Sequence, residues 1–291
     1  MHSVDAGIAE TVNEWFLVNR RDLPWRRDGF GAWGILVSEI MLQQTPVARV
    51  IPRLAEWLER WPSPAALAGA SPGDAVRAWE RLGYPRRALN LHAAAVAITA
   101  HHDGMVPSSL ADLLALPGVG DYTARAVASF AYGQRHPVVD TNVRRVIARA
   151  IAGVESTAPA TRRDLVAMEE LLPESESDAQ LTNAAMMELG ALVCTARAPR
   201  CEACPLAEQC RWRALGSPLL VSRARTQKKY ERSDRQVRGV ILAALRATGI
   251  PISGSAIEAL WADATQRSRA LDSLIVDGLV EVHGNEYSLP G

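Results

Sequence analysis

A glutamate, Glu39, lies in the middle of a strongly apolar segment. Ile35 and Leu36 precede it by about one helical turn, and Leu42 and Gln43 follow it by one turn. Most glutamates occupy exposed helix faces, but the apolar neighbours here favour partial burial. Burial disfavours the charged form of a carboxyl group and raises its pKa. Such a group would suit a general acid that works near neutral pH.

A glycine-rich segment further along the chain predicts a tight hairpin between two helices. Its residues are Leu116, Pro117, Gly118, Val119 and Gly120. The proline would end the first helix, and the glycines permit positive φ. The second helix should begin near Asp121, where the N–H groups of a first helical turn could bind a nucleic-acid phosphate. A tight turn without any ligand is the alternative.

A second carboxylate, Asp140, stands twenty residues after Gly120 and between Val139 and Thr141. Its position predicts the N-cap of a helix over residues 141–151. An N-cap aspartate can be purely structural, and the same position is compatible with a chemical role.

All four cysteines fall within one short segment, with the spacing C-x6-C-x2-C-x5-C. They are Cys194, Cys201, Cys204 and Cys210. Disulfides fit poorly with a chain that we expect to be intracellular. Zinc usually takes two short knuckles, and here only Cys201 and Cys204 form one. Four thiolates on one compact loop can hold a [4Fe–4S] cube, so the spacing favours a cluster, with zinc or free thiols as the alternatives.

The elements that must position these groups are predicted to be almost entirely helical. Aromatic residues make up only 5% of the 291 residues, and prolines rather than strand-like alternation separate the apolar segments. The patterns predict helices at 4–20, 33–45, 47–60, 64–69, 72–81, 86–101, 109–115, 141–151, 159–172 and 177–193.

The last sixty residues predict a separate small unit. Helices are expected at 234–247, 255–261 and 266–277, and alternation around His283, Gly284 and Asn285 predicts a hairpin over residues 279–289. Helices followed by a two-stranded ribbon suggest a winged helix, which could contact DNA or serve as an interaction module.

Charge and targeting features limit the classes of function. The formal net charge is zero, so any basic surface must be local. Residues 211–238 hold nine Lys/Arg, which could be a solvated linker or a phosphate-binding segment. We find no apolar run long enough to cross a bilayer and no secretory signal, and we expect a soluble intracellular protein.

Tyr84, beside Gly83 and near Arg86 and Arg87, could wedge into a duplex or pack against the next helix.

The hairpin, Asp140 and the cysteine loop, in this order, resemble the helix-hairpin-helix, Gly/Pro-Asp superfamily of DNA glycosylases that includes endonuclease III. The segment Val37 to Thr45 resembles the signature of the adenine DNA glycosylases of the MutY type. This resemblance extends over about residues 8–215. It implies an all-α, helix-hairpin-helix DNA glycosylase fold with a six-helix bundle and an iron–sulfur helical domain, followed here by the winged-helix-like α+β unit.

The resemblance implies domains at 1–22 together with 138–215 (iron–sulfur helical domain), 23–137 (six-helix domain), 216–232 (basic linker) and 233–291 (winged-helix-like unit). It implies a [4Fe–4S] cluster on the four cysteines and, as partner, duplex DNA with adenine opposite 8-oxoguanine or guanine. It also implies a monomer in the bacterial cytoplasm, associated with the nucleoid through DNA.

The resemblance further implies roles for individual side chains. Glu39 would protonate a flipped-out adenine, and Asp140 would stabilise or transiently attack the oxocarbenium-like sugar. Tyr122 and Asn142 would orient Asp140. Tyr122 stands where endonuclease III-like enzymes have a Schiff-base lysine, which implies a monofunctional enzyme. The residues expected to line the base pocket or contact the lesion are Trp25, Arg26, Leu42, Gln43 and Gln44. Tyr84 and the hairpin, residues 116–120, would contact DNA.

Opposed tasks require separate pKa values for the two carboxyl groups. The apolar setting of Glu39 and the helix-start position of Asp140 are expected to provide them, with the helix start favouring the ionised form of Asp140.

Three departures from the family pattern stand out. Pro85 takes the place of a second tyrosine after Leu82-Gly83, and Ala184 the place of a glutamine. The usual larger C-terminal domain that reads 8-oxoguanine is replaced by the small C-terminal unit. Two rival hypotheses are a thymine glycosylase for G·T mismatches, which Gln43 and Gln44 argue against, and a non-catalytic iron–sulfur DNA-binding protein, which retention of Glu39 and Asp140 argues against.

Overall fold

The computed structural model describes residues 2–155, 161–218 and 230–291, with side chains described from residue 7 onward. Contacts divide the chain into two compact units. Unit 1 comprises residues 1–35, 108–114 and 120–224, and unit 2 comprises residues 36–107, 115–119 and 225–291. Within the described segments, no helix is both long and apolar enough to span a membrane.

The first half of the chain is helical, as expected. Its helices are α1 (His2–Asn19), α2 (Ala32–Leu42), α3 (Val47–Arg60), α4 (Pro64–Ala68), α5 (Pro72–Trp79), α6 (Arg86–His101), α7 (Leu110–Ala115) and α8 (Asp121–Tyr132). A short 3-10 turn covers Pro24–Arg26. Ser63 and Ser71 cap α4 and α5 by accepting hydrogen bonds from Ala66 N and Asp74 N, and a proline follows each cap at the first helical position.

The second half continues with helices and ends in a small sheet. Its helices are α9 (Thr141–Ala150), α10 (Arg162–Leu171), α11 (Glu176–Leu192), α12 (Arg211–Ala214), α13 (Asp234–Ala247), α14 (Gly254–Ala259) and α15 (Ala264–Val276). Its strands are β1 (Ile252–Ser253), β2 (Glu281–His283) and β3 (Glu286–Ser288). A 3-10 turn covers Cys201–Ala203 within the cysteine loop.

In unit 1, α1, α9, α10 and α11 share one apolar core. Val12, Val143, Met168 and Leu189 are fully buried in it. This core holds α9, which begins next to Asp140, and α11, which leads into the cysteine loop.

Unit 2 buries two tryptophan side chains that contact each other. Trp57 and Trp79 are buried, and their rings meet edge to face with centroids 5.6 Å apart. The fully buried Leu36 and Met41 lie on the part of α2 that belongs to this unit.

The C-terminal residues form the expected helices and hairpin. His283 pairs with Glu286, so Gly284 and Asn285 alone make the turn, with Gly284 at φ 65°. The two-residue strand β1 also pairs antiparallel with β3, which gives the order β1-β3-β2. This third strand was not expected. Contacts place residues 225–291 in the same compact unit as residues 36–107.

One helix prediction was wrong in extent. The apolar pattern predicted a helix over 33–45, but α2 ends at Leu42, and Gln44 has φ 55°. The physical reason is a buried arginine that binds the last carbonyl groups of α2, described below. The predicted linker over 216–232 falls largely outside the described residues, since 219–229 are not described, and the four-part domain division stays a prediction.

Candidate active site and iron–sulfur loop

Asp140 is the N-cap of α9, as predicted. Its Oδ1 accepts hydrogen bonds from the backbone N–H groups of Asn142 (2.8 Å) and Val143 (2.7 Å), and its Oδ2 accepts one from Asn142 Nδ2 (2.7 Å). Both carboxylate oxygens are therefore held in place. Burial nevertheless raises the pKa of Asp140, although these hydrogen bonds and the charge of Arg145 lower it. Desolvation is thus the largest influence on the pKa of Asp140, and the separation of the two carboxyl pKa values stays a prediction.

A chain of hydrogen bonds runs from Asp140 to the first cysteine within unit 1. Asn142 Oδ1 accepts from Arg145 Nη2 at 2.8 Å, and Arg145 Nε donates to the carbonyl oxygen of Cys194 at 2.6 Å. Arg145 Nη2 also donates to Gly190 O at 2.6 Å. A Cβ on Gly190 would lie only 2.7 Å from both Cβ and O of Asn142, so α11 can approach α9 this closely only with glycine there. Sequence patterns did not single out Arg145.

Glu39 lies inside α2, in unit 2, and is only 5% exposed. The predicted burial is thus confirmed. Its helix neighbours Leu36, Ile40 and Met41 are all buried as well, so this part of α2 lies in the interior of unit 2.

Arg87 is a further residue of unit 2, and the sequence patterns predicted only that it flanks Tyr84. It is 8% exposed and donates to the carbonyl oxygens of Ile40, Met41 and Gln43 at 2.7–2.9 Å. The first two of these belong to the last turn of α2, whose carbonyl groups lack partners within the helix. Burial lowers the pKa of Arg87 to about 10, so its guanidinium remains charged at neutral pH.

The predicted pocket residues lie on two segments, one in each unit. In unit 1, Trp25 and Arg26 form the 3-10 turn and are half-buried. In unit 2, Leu42 and Gln43 are half-buried and Gln44 is exposed. Their contacts with base or lesion stay predictions.

The guanidinium of Arg26 is already bound to a buried glutamate. Arg26 and Arg21 donate to both carboxylate oxygens of Glu188, which is 1% exposed, at 2.6–3.1 Å. The Arg21 backbone N–H donates to the same group at 2.9 Å. Burial alone would raise the pKa of Glu188, but these hydrogen bonds lower it to about 2. Sequence patterns assigned no role to Glu188.

The hairpin has the expected turn. Val119 N donates to Leu116 O at 3.1 Å, and both side chains are buried. Pro117, Gly118 and Gly120 are exposed. Position 118 requires glycine for two reasons: its φ is 75°, and a Cβ there would lie 2.5 Å from Asn90 Cβ. The helix that follows begins at Asp121 without a side-chain cap on Gly120.

Tyr122 and Tyr84 have different exposures. Tyr122, in the first turn of α8, is half-buried. Tyr84 is 53% exposed and has φ 47°. The predicted roles of both side chains stay predictions.

The four cysteines line one cavity of unit 1, together with Arg149 and Leu206. None forms a disulfide. Among the described residues, no three His, Cys, Asp or Glu side chains come close enough together to hold a single metal ion. Four thiols around one cavity are the ligand set that an iron–sulfur cluster requires.

Arginine contacts support the same site. The buried Arg149 donates to Cys194 Sγ at 3.5 Å and stacks on Trp212 at 4.7 Å from the ring centroid. Burial raises the pKa of Cys194, and that of Cys204 to about 11. Metal coordination, which requires thiolates, is what would keep these sulfurs deprotonated.

Comparisons with known proteins match both parts of this site. Residues 37–170 match the HhH-GPD superfamily of base excision DNA repair proteins, and residues 194–210 match the iron–sulfur binding domain of endonuclease III. The iron–sulfur site predicted from the cysteine spacing is therefore confirmed.

Relatives and solved structures extend the match beyond these segments. The chain is 54% identical over 268 residues to the adenine DNA glycosylase of Mycolicibacterium smegmatis, covering 92% of this chain and 90% of that protein. It is 50% identical over 280 residues to that of Mycobacterium tuberculosis, covering 95% and 91%. A solved thermostable thymine-DNA glycosylase aligns with TM-score 0.67 and 26% identity, covering 73% of this chain and 97% of that one. The chain belongs to the adenine DNA glycosylase family within the HhH-GPD superfamily of base excision DNA repair proteins.

Proposed function

We propose that this protein hydrolyses the N-glycosidic bond of adenine paired with 8-oxoguanine or guanine in duplex DNA. The observation that carries the proposal is Asp140, whose two oxygens are held at the start of α9 in a half-buried setting. A surface cap has no need of such burial. The 54% identity to an adenine DNA glycosylase supports adenine as the base.

Glu39 acts as the general acid. Its burial disfavours the charged carboxylate, so the group is suited to giving a proton to a ring nitrogen of the extruded adenine. Protonation makes the base a neutral leaving group and thereby weakens the bond to the sugar.

Asp140 stabilises the positive charge that develops on the sugar as the base departs. Its carboxylate must be ionised for this task, and the hydrogen bonds from Asn142 and Val143 favour that form. Water then adds to the sugar and completes hydrolysis, with Glu39 in its deprotonated form helping to deliver it.

The enzyme is monofunctional. A lysine amine would be required to form a Schiff base with the sugar and cleave the strand, and Tyr122 offers only a phenol at that position. Tyr122 instead helps to orient Asp140. We therefore expect abasic sites that break only after alkali treatment.

Base extrusion precedes the chemistry and costs least at a mismatch. In the proposal, Tyr84 wedges into the duplex and the exposed hairpin residues bind the backbone. Trp25, Arg26, Leu42, Gln43 and Gln44 contact the extruded base or the opposite lesion. The protein acts as a monomer on chromosomal DNA in the cytoplasm.

The four cysteines hold a [4Fe–4S] cluster. Its contribution is structural, since coordination ties the loop 194–210 into one folded segment next to α9. Iron and acid-labile sulfide analysis of the purified protein tests this assignment: four of each per chain are expected, whereas stoichiometric zinc would contradict it.

A panel of four end-labelled duplexes tests the proposed function. Single-turnover reactions followed by alkali are run on adenine opposite 8-oxoguanine, adenine opposite guanine, thymine opposite guanine, and adenine opposite thymine. Cleavage at adenine in the first two, with the last spared, is the expected result. Cleavage at thymine opposite guanine alone would instead make this chain a thymine glycosylase, and no cleavage by the cluster-loaded protein would favour a binding role.

Asp140→Asn tests whether the Asp140 carboxylate takes part in the chemistry, and Asp263→Asn is its matched control. Both aspartates cap helices, since Asp263 accepts a hydrogen bond from Gln266 N at 2.9 Å. Loss of excision in the first variant only would support a chemical role for Asp140. An equal loss of excision in both variants would mean that Asp140 serves only as a helix cap.

A further inference from the structure

Arg87 lies in the first turn of α6 and joins two turns that are distant in sequence. The first, residues 43–45, follows α2 and contains Gln43 and Gln44. The second, residues 82–84, precedes α6 and contains Tyr84. Both turns, like Arg87, belong to unit 2.

One amino group of the Arg87 guanidinium, Nη1, binds backbone carbonyl groups at the end of α2 and in the first turn. Nη1 donates to the carbonyl oxygen of Gln43 at 2.7 Å, in addition to those of Ile40 and Met41. These bonds end α2 at Leu42 and fix where the backbone leaves the helix. A charged guanidinium also interacts favourably with a helix C-terminus.

The other amino group serves both turns at once. Nη2 donates to Thr45 Oγ1 at 2.9 Å and to Gly83 O at 2.9 Å. The Thr45 hydroxyl in turn donates to Leu82 O at 3.2 Å. The rings of Trp79 and Tyr84 lie 5.1 and 5.7 Å from the guanidinium carbon, so the cation also contacts the second turn through aromatic faces.

Both turns contain residues in the left-handed region that favours glycine. Gln44 has φ 55° and Tyr84 has φ 47°. Such conformations persist only where surrounding contacts hold them. Yet Gln44 is exposed and Tyr84 is 53% exposed, so their own side chains supply little of that support. The buried bonds of Arg87 supply it.

We infer that Arg87 is a positioning residue that holds the glutamine turn and the Tyr84 turn in one fixed arrangement, so that wedge and base-recognition residues engage DNA together. This inference rests on the proposed function for the identity of the substrate. It assigns Arg87 no contact with DNA, because its guanidinium is buried and bound to backbone groups.

Arg87→Lys is the main test, because lysine keeps the charge but cannot reproduce the forked set of hydrogen bonds. Arg246→Lys is the matched control, since Arg246 also lies in unit 2 and donates to a backbone carbonyl, Val76 O at 3.0 Å, away from both turns. We expect single-turnover adenine excision to fall about 10- to 100-fold in Arg87→Lys and less than about twofold in Arg246→Lys.

Base extrusion is measured separately with 2-aminopurine in place of the adenine opposite guanine. Its fluorescence rises when the base leaves the stack, whether or not excision follows. We expect this rise to be lost in Arg87→Lys and kept in Arg246→Lys. If wild-type protein excises no adenine from any duplex, the proposed function fails, while the fluorescence comparison still tests the inference.

A double-mutant cycle with Tyr84→Ala distinguishes positioning from general stability. If Arg87 acts through the Tyr84 turn, Arg87→Lys should reduce excision much less in the Tyr84→Ala background than in wild type. Full additivity, or excision and fluorescence of Arg87→Lys at wild-type values, would overturn the inference.

Should the Arg87 variants fail to fold, Thr45 provides the same test. Thr45→Val removes the hydroxyl that links the two turns, and Thr45→Ser keeps it. The inference expects reduced extrusion only in the valine variant, and it is refuted if both variants behave alike.

Discussion

At the residue scale, Asp140 is subject to opposing influences on its pKa. Burial raises it, and hydrogen bonds from Val143 and Asn142 lower it. Catalysis in our account needs the ionised form, so excision should decline as pH falls through the raised pKa of this group. The hydrogen bond from the Asn142 side chain is the influence most easily removed.

Asn142→Ala tests this balance. Without its Nδ2 donor, the ionised form of Asp140 loses a hydrogen bond, so the pKa of Asp140 rises further and the acid limb of the pH–rate profile moves to higher pH. The measurement is single-turnover excision across acidic and neutral pH. Thr141→Ala, which leaves all donors to Asp140 in place, should keep the wild-type profile. An acid limb that stays in place or moves to lower pH would contradict the account.

Glu188 is a buried carboxylate whose two arginine partners hold the start of the predicted pocket segment. Glu188→Gln would leave both guanidinium groups without their counter-charge, and we expect the free energy of unfolding at neutral pH to fall by about 3 kcal/mol. The pKa of Glu188 is lowered from 4.5 to about 2. Its stabilisation is therefore fully present above pH 4.5 and is lost as pH falls towards 2.

Urea unfolding of wild type and Glu188→Gln at several pH values checks this prediction, with the exposed Glu170→Gln as control. The gap between wild type and Glu188→Gln should be widest near neutrality and shrink below pH 4.5. A gap that is constant across this range would mean that the ion pairs do not supply the difference.

At the element scale, the close approach of α11 to α9 depends on Gly190. Gly190→Ala would place a methyl group 2.7 Å from Asn142 Cβ, so we expect a loss of about 1–3 kcal/mol of unfolding free energy. Excision should fall as well, because Asn142 must move away from Asp140.

A methyl group on Gly7, inside α1, would have no atom within 4 Å, so Gly7→Ala should stabilise by about 0.5–1 kcal/mol. Thermal unfolding measures the stability of both variants, and single-turnover assays measure their excision. If Gly190→Ala and Gly7→Ala change stability in the same direction, the packing argument is refuted.

Sequence reasoning succeeded where a feature depends on neighbouring residues. The N-cap at Asp140 and the start of α8 at Asp121 follow from local turn and capping chemistry. The helix predicted over 33–45 extended past the end of α2, because Arg87, which ends that helix, lies 44 residues from Gln43 in sequence. Sequence reasoning missed the role of Glu188 because that group's partners are 162–167 residues away. It missed β1 because two residues carry no strand pattern.

At the scale of the whole molecule, the C-terminal residues pack against the region that carries Glu39. Gly73 N donates to Pro290 O at 2.7 Å, and a Cβ on Gly73 would collide with that oxygen. Residues 233–291 hold five Lys/Arg against seven Asp/Glu, a formal charge of −2. A net negative charge is unfavourable beside DNA phosphates, so we propose that these residues support unit 2 rather than bind the DNA backbone.

Asp277→Asn tests that role. Asp277 pairs with Arg86 at 3.3 Å and with Arg238 at 2.6 Å, and all three side chains are partly exposed. We expect a loss of about 1 kcal/mol of unfolding free energy and no change in the salt dependence of DNA binding. The exposed Asp272→Asn is the control. A shift of the log–log salt slope by about 0.9, equivalent to one phosphate contact, would show instead that this region touches DNA.

The most direct test of the central claim is the release of free adenine from a duplex with adenine opposite 8-oxoguanine, quantified by chromatography. Wild type is compared with Glu39→Gln and with Glu59→Gln, an exposed glutamate on α3. Our account predicts adenine release by wild type and Glu59→Gln, and none by Glu39→Gln despite nearly unchanged DNA binding. Adenine release by Glu39→Gln at the wild-type rate would contradict the proposed acid catalysis.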